Sequence, residues 1–127
     1  MGGQKILVVD DEQLIGIALT QELGEEGYQV EYVLSGEDAI EKVKIQFYDL
    51  IFVDLVMPGI NGVATCQRIK SLSPQTEIVC FTGTYDKQLI ARQMEFIAAG
   101  GRLYFLYKPF KEGYILKAVQ KVLAKSS

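Results

Sequence analysis

One uninterrupted apolar run, residues 50–53, limits what this chain can fold into more than any other stretch. The run ends in a carboxylate at Asp54, and the chain-breaking pair Pro58-Gly59 follows closely. A strand without polar alternation is typical of a parallel sheet that is covered on both faces. An acid at the carboxyl end of such a strand projects into the crevice where open α/β sheets bind their ligands.

Four further β-rich runs alternate with stretches of helical spacing, and they lie at residues 6–9, 28–33, 78–81 and 103–107. Ser35 and Asn61 are suited to cap the second and third helices, and we expect the fourth helix over about residues 86–98. Five strands that alternate with five helices predict a doubly wound parallel α/β sheet. The pattern leaves the strand order open. The weakly apolar second run suits an edge, as in the order 2-1-3-4-5 of flavodoxin-like proteins.

Length and composition set limits on the classes of function. The 127 residues suffice for a single domain, which we place at 1–127 with a core at about 5–123. The sequence shows neither an apolar signal core nor a run of ~20 apolar residues, so we expect a cytoplasmic domain. The net charge of −3, with both signs interspersed, argues against direct binding of nucleic acid. The absence of histidine excludes His-based triads and His-ligated metals, and the spacing of Cys66 and Cys80 matches no metal motif.

Polar or charged residues stand at the carboxyl ends of four of the five predicted strands. Asp10 and Asp11 follow the first strand, Asp54 the third, Thr82 the fourth and Lys108 the fifth. Each has an ordinary structural explanation when taken alone, such as a helix cap, a turn, a β-branched strand residue or a solvated lysine. The carboxyl ends of parallel strands meet at one edge of a sheet, so the coincidence at four strand ends favours a shared site.

The chemistry of this cluster indicates a hard divalent cation and a phosphoryl group. Three carboxylates raise each other's pKa when they lie close together, and a cation relieves that repulsion. Oxygen ligands without histidine favour Mg²⁺, with Mn²⁺ as a second possibility. Lys108 and Thr82 would then bind phosphoryl oxygens. Asp54, between metal and lysine, is the natural nucleophile, and its aspartyl phosphate would be reversible.

The chain resembles the receiver (CheY-like) domain of two-component response regulators over residues 5–123. The motifs that carry the resemblance are VVDDE at 8–12, VDLVMPG at 53–59, FTG at 81–83 and YKPF at 107–110. The resemblance implies that Asp54 accepts a phosphoryl group from a histidine kinase or a histidine phosphotransfer protein. It further implies that Asp11, Asp54 and the backbone carbonyl of Val56 hold Mg²⁺, with Asp10 acting through water.

The resemblance also implies a conformational switch. Thr82, Lys108 and the backbone of Gly83 would contact the phosphoryl group, and Phe105 stands where the family has its switch aromatic. Movement of these residues would remodel the face formed by the fourth helix, fifth strand and fifth helix for a protein partner or an effector domain. The family further implies a cis peptide bond between Lys108 and Pro109. We expect a phosphoacceptor rather than an enzyme, although the domain would assist its own phosphorylation and dephosphorylation.

Two other classes of function remain open at this point. A phosphohydrolase with an aspartyl nucleophile usually carries Asp-x-Asp after its first strand and a cap domain, which 127 residues do not accommodate. A flavin-binding protein of the same fold would need a phosphate loop where Asp10 and Asp11 stand. The chain could act alone or belong to a longer protein, as a monomer or a weak phosphorylation-dependent dimer. Val56, which is apolar beside the nucleophile, leads us to expect slow autodephosphorylation.

Overall fold

The computed structural model describes residues 3–83 and 85–124, and there it shows five strands alternating with five helices. The strands are β1 (Lys5–Val9), β2 (Gln29–Val33), β3 (Leu50–Asp54), β4 (Glu77–Thr82) and β5 (Phe105–Tyr107). The helices are α1 (Gln13–Gly24), α2 (Gly36–Ile45), α3 (Gly62–Leu72), α4 (Leu89–Ala98) and α5 (Tyr114–Ala124). All strand pairs are parallel, in the order β2-β1-β3-β4-β5. The predicted doubly wound fold and strand order are confirmed.

The sheet is covered on both faces, which explains the unbroken apolar run in β3. Ile51 and Val53 join the core on the side of α2, α3 and α4, whereas Leu50 and Phe52 join the core on the side of α1 and α5. All five residues of β3 are buried. A strand that is buried on both faces has no solvent side on which polar residues would alternate.

Two predicted element boundaries differ from the structure by two residues or more. β5 begins at Phe105 rather than at residue 103, because its pairing with β4 starts where Phe105 meets Cys80, and Leu103 is exposed. α4 begins at Leu89 rather than near residue 86, because Asp86 closes a turn by accepting the backbone N–H of Gln88. A short aspartate side chain competes well for such backbone donors.

Helix caps and one close glycine contact fix the loops around the sheet edge. Ser35 accepts the N–H of Asp38 at the start of α2, and Asn61 accepts the N–H of Ala64 at the start of α3, as predicted. Gly62 brings α3 against β3, since a Cβ at this position would lie 2.6 Å from the carbonyl oxygen of Asp54. α3 can therefore pack directly behind the end of β3.

Two further features of the chain bear on the classes of function. In the described part of the chain, no helix is both long and apolar enough to cross a membrane. Cys66 and Cys80 are buried and free, and burial raises the pKa of each thiol to about 12. Thiols with so high a pKa are poor nucleophiles and poor metal ligands at neutral pH.

Candidate functional site

The carboxyl edge of the sheet brings three acidic side chains together around Lys108. Its ammonium Nζ lies 2.7 Å from Oδ2 of Asp10, 3.1 Å from Oδ2 of Asp54 and 2.6 Å from Oε1 of Glu12. Asp10 follows β1, Asp54 ends β3 and Lys108 follows β5, so three separate strands supply this contact. The structure therefore brings together three of the residues that the sequence placed at one edge.

Backbone donors orient the two buried carboxylates. Oδ1 of Asp10 accepts the N–H of Glu12 at 2.8 Å, and Oδ1 of Asp54 accepts the N–H of Val56 at 3.1 Å. In both residues Oδ2 is left to face the lysine. Within the described residues, Oδ2 of Asp10 has no aligned hydrogen bond, and its 2.7 Å contact with Lys108 is an ion pair only. Lys108 therefore already neutralises part of the charge at that oxygen.

Burial dominates the electrostatics of the site. It raises the pKa of Asp10 to about 6, against an ordinary value of 3.8, although Lys108 and the N–H of Glu12 favour the charged form. Burial also raises the pKa of Asp54, and the charge of Asp11 adds to that rise. For Lys108, burial acts to lower the pKa, but the close contacts with the negatively charged Asp10, Glu12 and Asp54 prevail and the pKa is raised. The site thus holds one firmly charged cation among crowded acids.

A groove of about 590 Å³ opens the site to solvent. Its lining comprises Asp11, Glu12, Ile15, Asp54, Val56, Gly83, Lys108 and Pro109. Asp54 is only 5% exposed, yet it belongs to this lining, so a small ligand can reach its carboxylate without any opening of the core. The groove is large enough to admit a phosphoryl group together with a metal ion and water.

The carboxylates that could share a cation differ in part from those that the sequence indicated. Oxygens of Asp10, Glu12 and Asp54 all lie within 4.8 Å of one another, whereas Asp11 is exposed and lies outside this group. No role was predicted for Glu12, although it directly follows Asp10 and Asp11. The all-oxygen donor set fits a hard divalent cation. Such an ion would compete with Lys108 for the same oxygens.

Thr82 and Phe105 do not belong to the lining of the groove. Thr82 is buried at the end of β4, where it pairs with Tyr107 of β5, and its neighbour Gly83 lines the groove. Phe105 is half-buried and packs against the core cluster that contains Phe96 of α4. The peptide bond between Lys108 and Pro109 is cis, as the resemblance implied.

The fold and the site define a class of protein. Residues 6–120 match the family of the response regulator receiver domain, so the chain belongs to that family. It is similar to the response regulator ArlR of Staphylococcus aureus, with 34% identity over 125 residues that cover 94% of this chain and 52% of ArlR. The chain thus spans about half the length of the relatives it matches. Membership favours a signalling domain over a phosphohydrolase or a flavin-binding protein.

Two solved structures support the same class. TrrA of Thermotoga maritima, a response regulator in complex with Mg²⁺-BeF, has a TM-score of 0.79 and 30% identity, over 94% of this chain and 99% of TrrA. A response regulator of Burkholderia pseudomallei with a phosphorylated aspartic acid, a calcium ion and citrate has a TM-score of 0.81 and 25% identity, over 98% of this chain and 73% of the other. Phosphorylation by a kinase is the general function of this family.

Proposed function

We propose that Asp54 is the phosphoacceptor of this receiver domain and that a histidine kinase or a histidine phosphotransfer protein is the donor. The observation that carries the proposal is the position of Asp54, whose carboxylate lines an open groove with Oδ2 held 3.1 Å from the ammonium of Lys108. A nucleophile beside a fixed cation is the arrangement that phosphoryl transfer requires, since the reaction depends on positioning and charge neutralisation.

The transfer forms a bond between a carboxylate oxygen of Asp54 and phosphorus while the bond from phosphorus to the donor imidazole nitrogen breaks. The electron pair of that bond leaves with the imidazole nitrogen. Lys108, whose raised pKa keeps it protonated, binds a phosphoryl oxygen. The backbone N–H of Gly83 and the hydroxyl of Thr82 are proposed to bind the other oxygens.

The residues of the site fit a Mg²⁺ ion, which would neutralise charge on the phosphoryl group when bound. Asp10, Asp11, Asp54 and the carbonyl of Val56 are the proposed holders, with Mn²⁺ as a possible substitute. Glu12 joins this proposal because its carboxylate lies within reach of the same point. The likeness to TrrA, whose structure contains Mg²⁺-BeF, supports it.

The output face is proposed to be α4, β5 and α5, with Thr82 and Phe105 as the switch. Ile90 and Met94 of α4, with Leu103 before β5, are 71%, 66% and 78% exposed, and such apolar surface favours protein partners. The partner could be an effector domain, since the matched relatives are about twice as long, or a weakly associated second copy. We propose that the domain works in the cytoplasm and needs neither nucleic acid nor membrane contact for phosphorylation.

The deciding experiment is incubation with acetyl phosphate and Mg²⁺, followed by intact-mass measurement. We expect one added phosphoryl group, lost in Asp54→Ala and in the presence of a chelator. Asp54→Asn should abolish phosphorylation while the fold stays intact, because it removes a charge from a crowded acidic cluster. Asp49→Asn is the matched control, since Asp49 lies just before β3 at the opposite end of the strand. Labelling that persists in Asp54→Asn would refute the assignment.

A further inference from the structure

Tyr107 is the last residue of β5, and its position ties it to the phosphoryl-binding end of the sheet. It pairs with Thr82 in the sheet, and the N–H of the next residue, Lys108, donates to the carbonyl of Thr82 at 2.9 Å. A shift of the Thr82 or Lys108 backbone toward a phosphoryl group would therefore displace the backbone of Tyr107. Phe105 lies two residues earlier and pairs instead with Cys80.

The side chain of Tyr107 reaches α4 through a polar contact. Gln93 of α4 is only 8% exposed, and its side-chain amide donates to the Tyr107 hydroxyl at 3.0 Å. Tyr85, which lies between β4 and α4, stacks on the Tyr107 ring with centroids 5.6 Å apart and an interplanar angle of 22°. One ring thus connects the end of β5, the segment that follows β4, and α4.

A buried amide is costly to leave without a partner, so the bond between Gln93 and Tyr107 favours one arrangement of α4 against β5. The Phe105 side chain has no polar atom and packs against the apolar core on this side. The two aromatic residues therefore connect β5 with α4 in different ways. The apolar contact of Phe105 tolerates sliding, whereas the directional hydrogen bond of Tyr107 does not.

We propose that Tyr107 is a second coupling residue of this domain, and that its hydrogen bond with Gln93 holds α4 in the resting arrangement and is released when the phosphoryl group binds. This inference rests on the proposed function of Asp54. Release requires that the backbone movement of Thr82 and Lys108 carry Tyr107 away from Gln93, out of the 3.0 Å hydrogen bond. The hydrogen bond then stabilises the resting state against activation. It thereby links phosphoryl binding to the position of α4.

Linkage gives the expected direction of the effect. Without the bond the resting state loses stability, so a ligand that selects the activated state binds more tightly. The probe is beryllofluoride with Mg²⁺, titrated into Tyr107→Phe, which removes only the hydroxyl. We expect its dissociation constant to fall about fivefold, the equilibrium effect of a typical net hydrogen bond. Hydrogen exchange of the α4 amides should already be faster in the unliganded variant, and the ligand-induced change should shrink.

A second variant and a matched control make the test specific. Gln93→Leu removes the other end of the bond and should reproduce the effect, and the double variant should show no further gain. Tyr104→Phe is the control, because Tyr104 packs against the core on the opposite side of the sheet, beside Lys121 of α5. It should bind beryllofluoride as the wild type does.

The possible outcomes distinguish failure of this inference from failure of the proposed function of Asp54. Failure of the wild type to bind beryllofluoride and to be phosphorylated overturns both. Normal phosphorylation of the wild type with an unchanged beryllofluoride affinity in Tyr107→Phe overturns the coupling alone. Faster exchange of α4 in Tyr107→Phe without a change in affinity shows that the bond is only structural, and this also overturns it. An equal gain in beryllofluoride affinity in Tyr104→Phe would also overturn the coupling.

Discussion

Replacement of Asp10 by asparagine should stabilise the metal-free protein. Asp10 is 1% exposed, and burial raises its pKa from 3.8 to about 6. That difference corresponds to about 3 kcal/mol by which folding disfavours the charged carboxylate at neutral pH. Asparagine keeps an oxygen that can accept the N–H of Glu12 and removes the charge. Lys108 retains Glu12 and Asp54 as partners. We expect Asp10→Asn to gain about 1–3 kcal/mol in the free energy of unfolding at pH 7.5.

The pH dependence of the gain identifies its cause. The pKa of Asp10 is raised in the folded state. Between pH 3.8 and about 6 the folded protein therefore keeps a proton on Asp10 that the unfolded chain has already released. The contribution of Asp10 to the stability of the wild type therefore falls as the pH rises through this window. The variant has no such proton to lose. The gain in unfolding free energy of Asp10→Asn over the wild type should be close to zero near pH 4, grow as the pH rises to about 6 and level off above it.

Urea denaturation in the presence of a chelator, followed by circular dichroism at several pH values, measures this effect. Asp38→Asn is the control, since Asp38 is exposed in the first turn of α2, and its replacement should cost no more than about 1 kcal/mol through the helix dipole. A variant at Asp10 that is less stable than the wild type at pH 7.5, or a gain that persists unchanged near pH 4, would refute the reasoning.

Three further predictions concern the site and its support. Gly62→Ala should lose about 1–3 kcal/mol of unfolding free energy in chemical denaturation, because its Cβ would lie 2.6 Å from the carbonyl oxygen of Asp54. Gly24→Ala meets nothing within 4 Å and should be close to neutral, and equal losses would contradict this. Glu12→Gln should weaken Mg²⁺ binding about tenfold in titration calorimetry, and an unchanged affinity would remove Glu12 from the metal site. Val56→Asn should shorten the lifetime of the phosphorylated protein, because the polar side chain can position the attacking water. A lifetime that stays the same or lengthens would count against slow autodephosphorylation.

Much of the fold was determined locally. An apolar run without polar alternation predicted the doubly covered strand β3, and the Ser35 and Asn61 caps marked the starts of α2 and α3. Such signals depend on the period of the backbone and on nearby donors, so neighbouring residues in the sequence suffice to produce them. The rule that parallel strands end at one edge then placed Asp10, Asp54 and Lys108 together.

Tertiary structure decided what depends on contacts between distant residues. The length of β5 follows from its register on β4, which local periodicity cannot fix. Glu12 joins the acidic cluster because Lys108, from the other end of the chain, lies within reach of its carboxylate. The bond between Gln93 and Tyr107 likewise requires that α4 pack against the end of β5. The sequence by itself determined the fold class and placed Asp10, Asp54 and Lys108 at one edge of the sheet. Only packing of the whole chain could set their distances, burial and charge state, because those depend on the position of every neighbouring element.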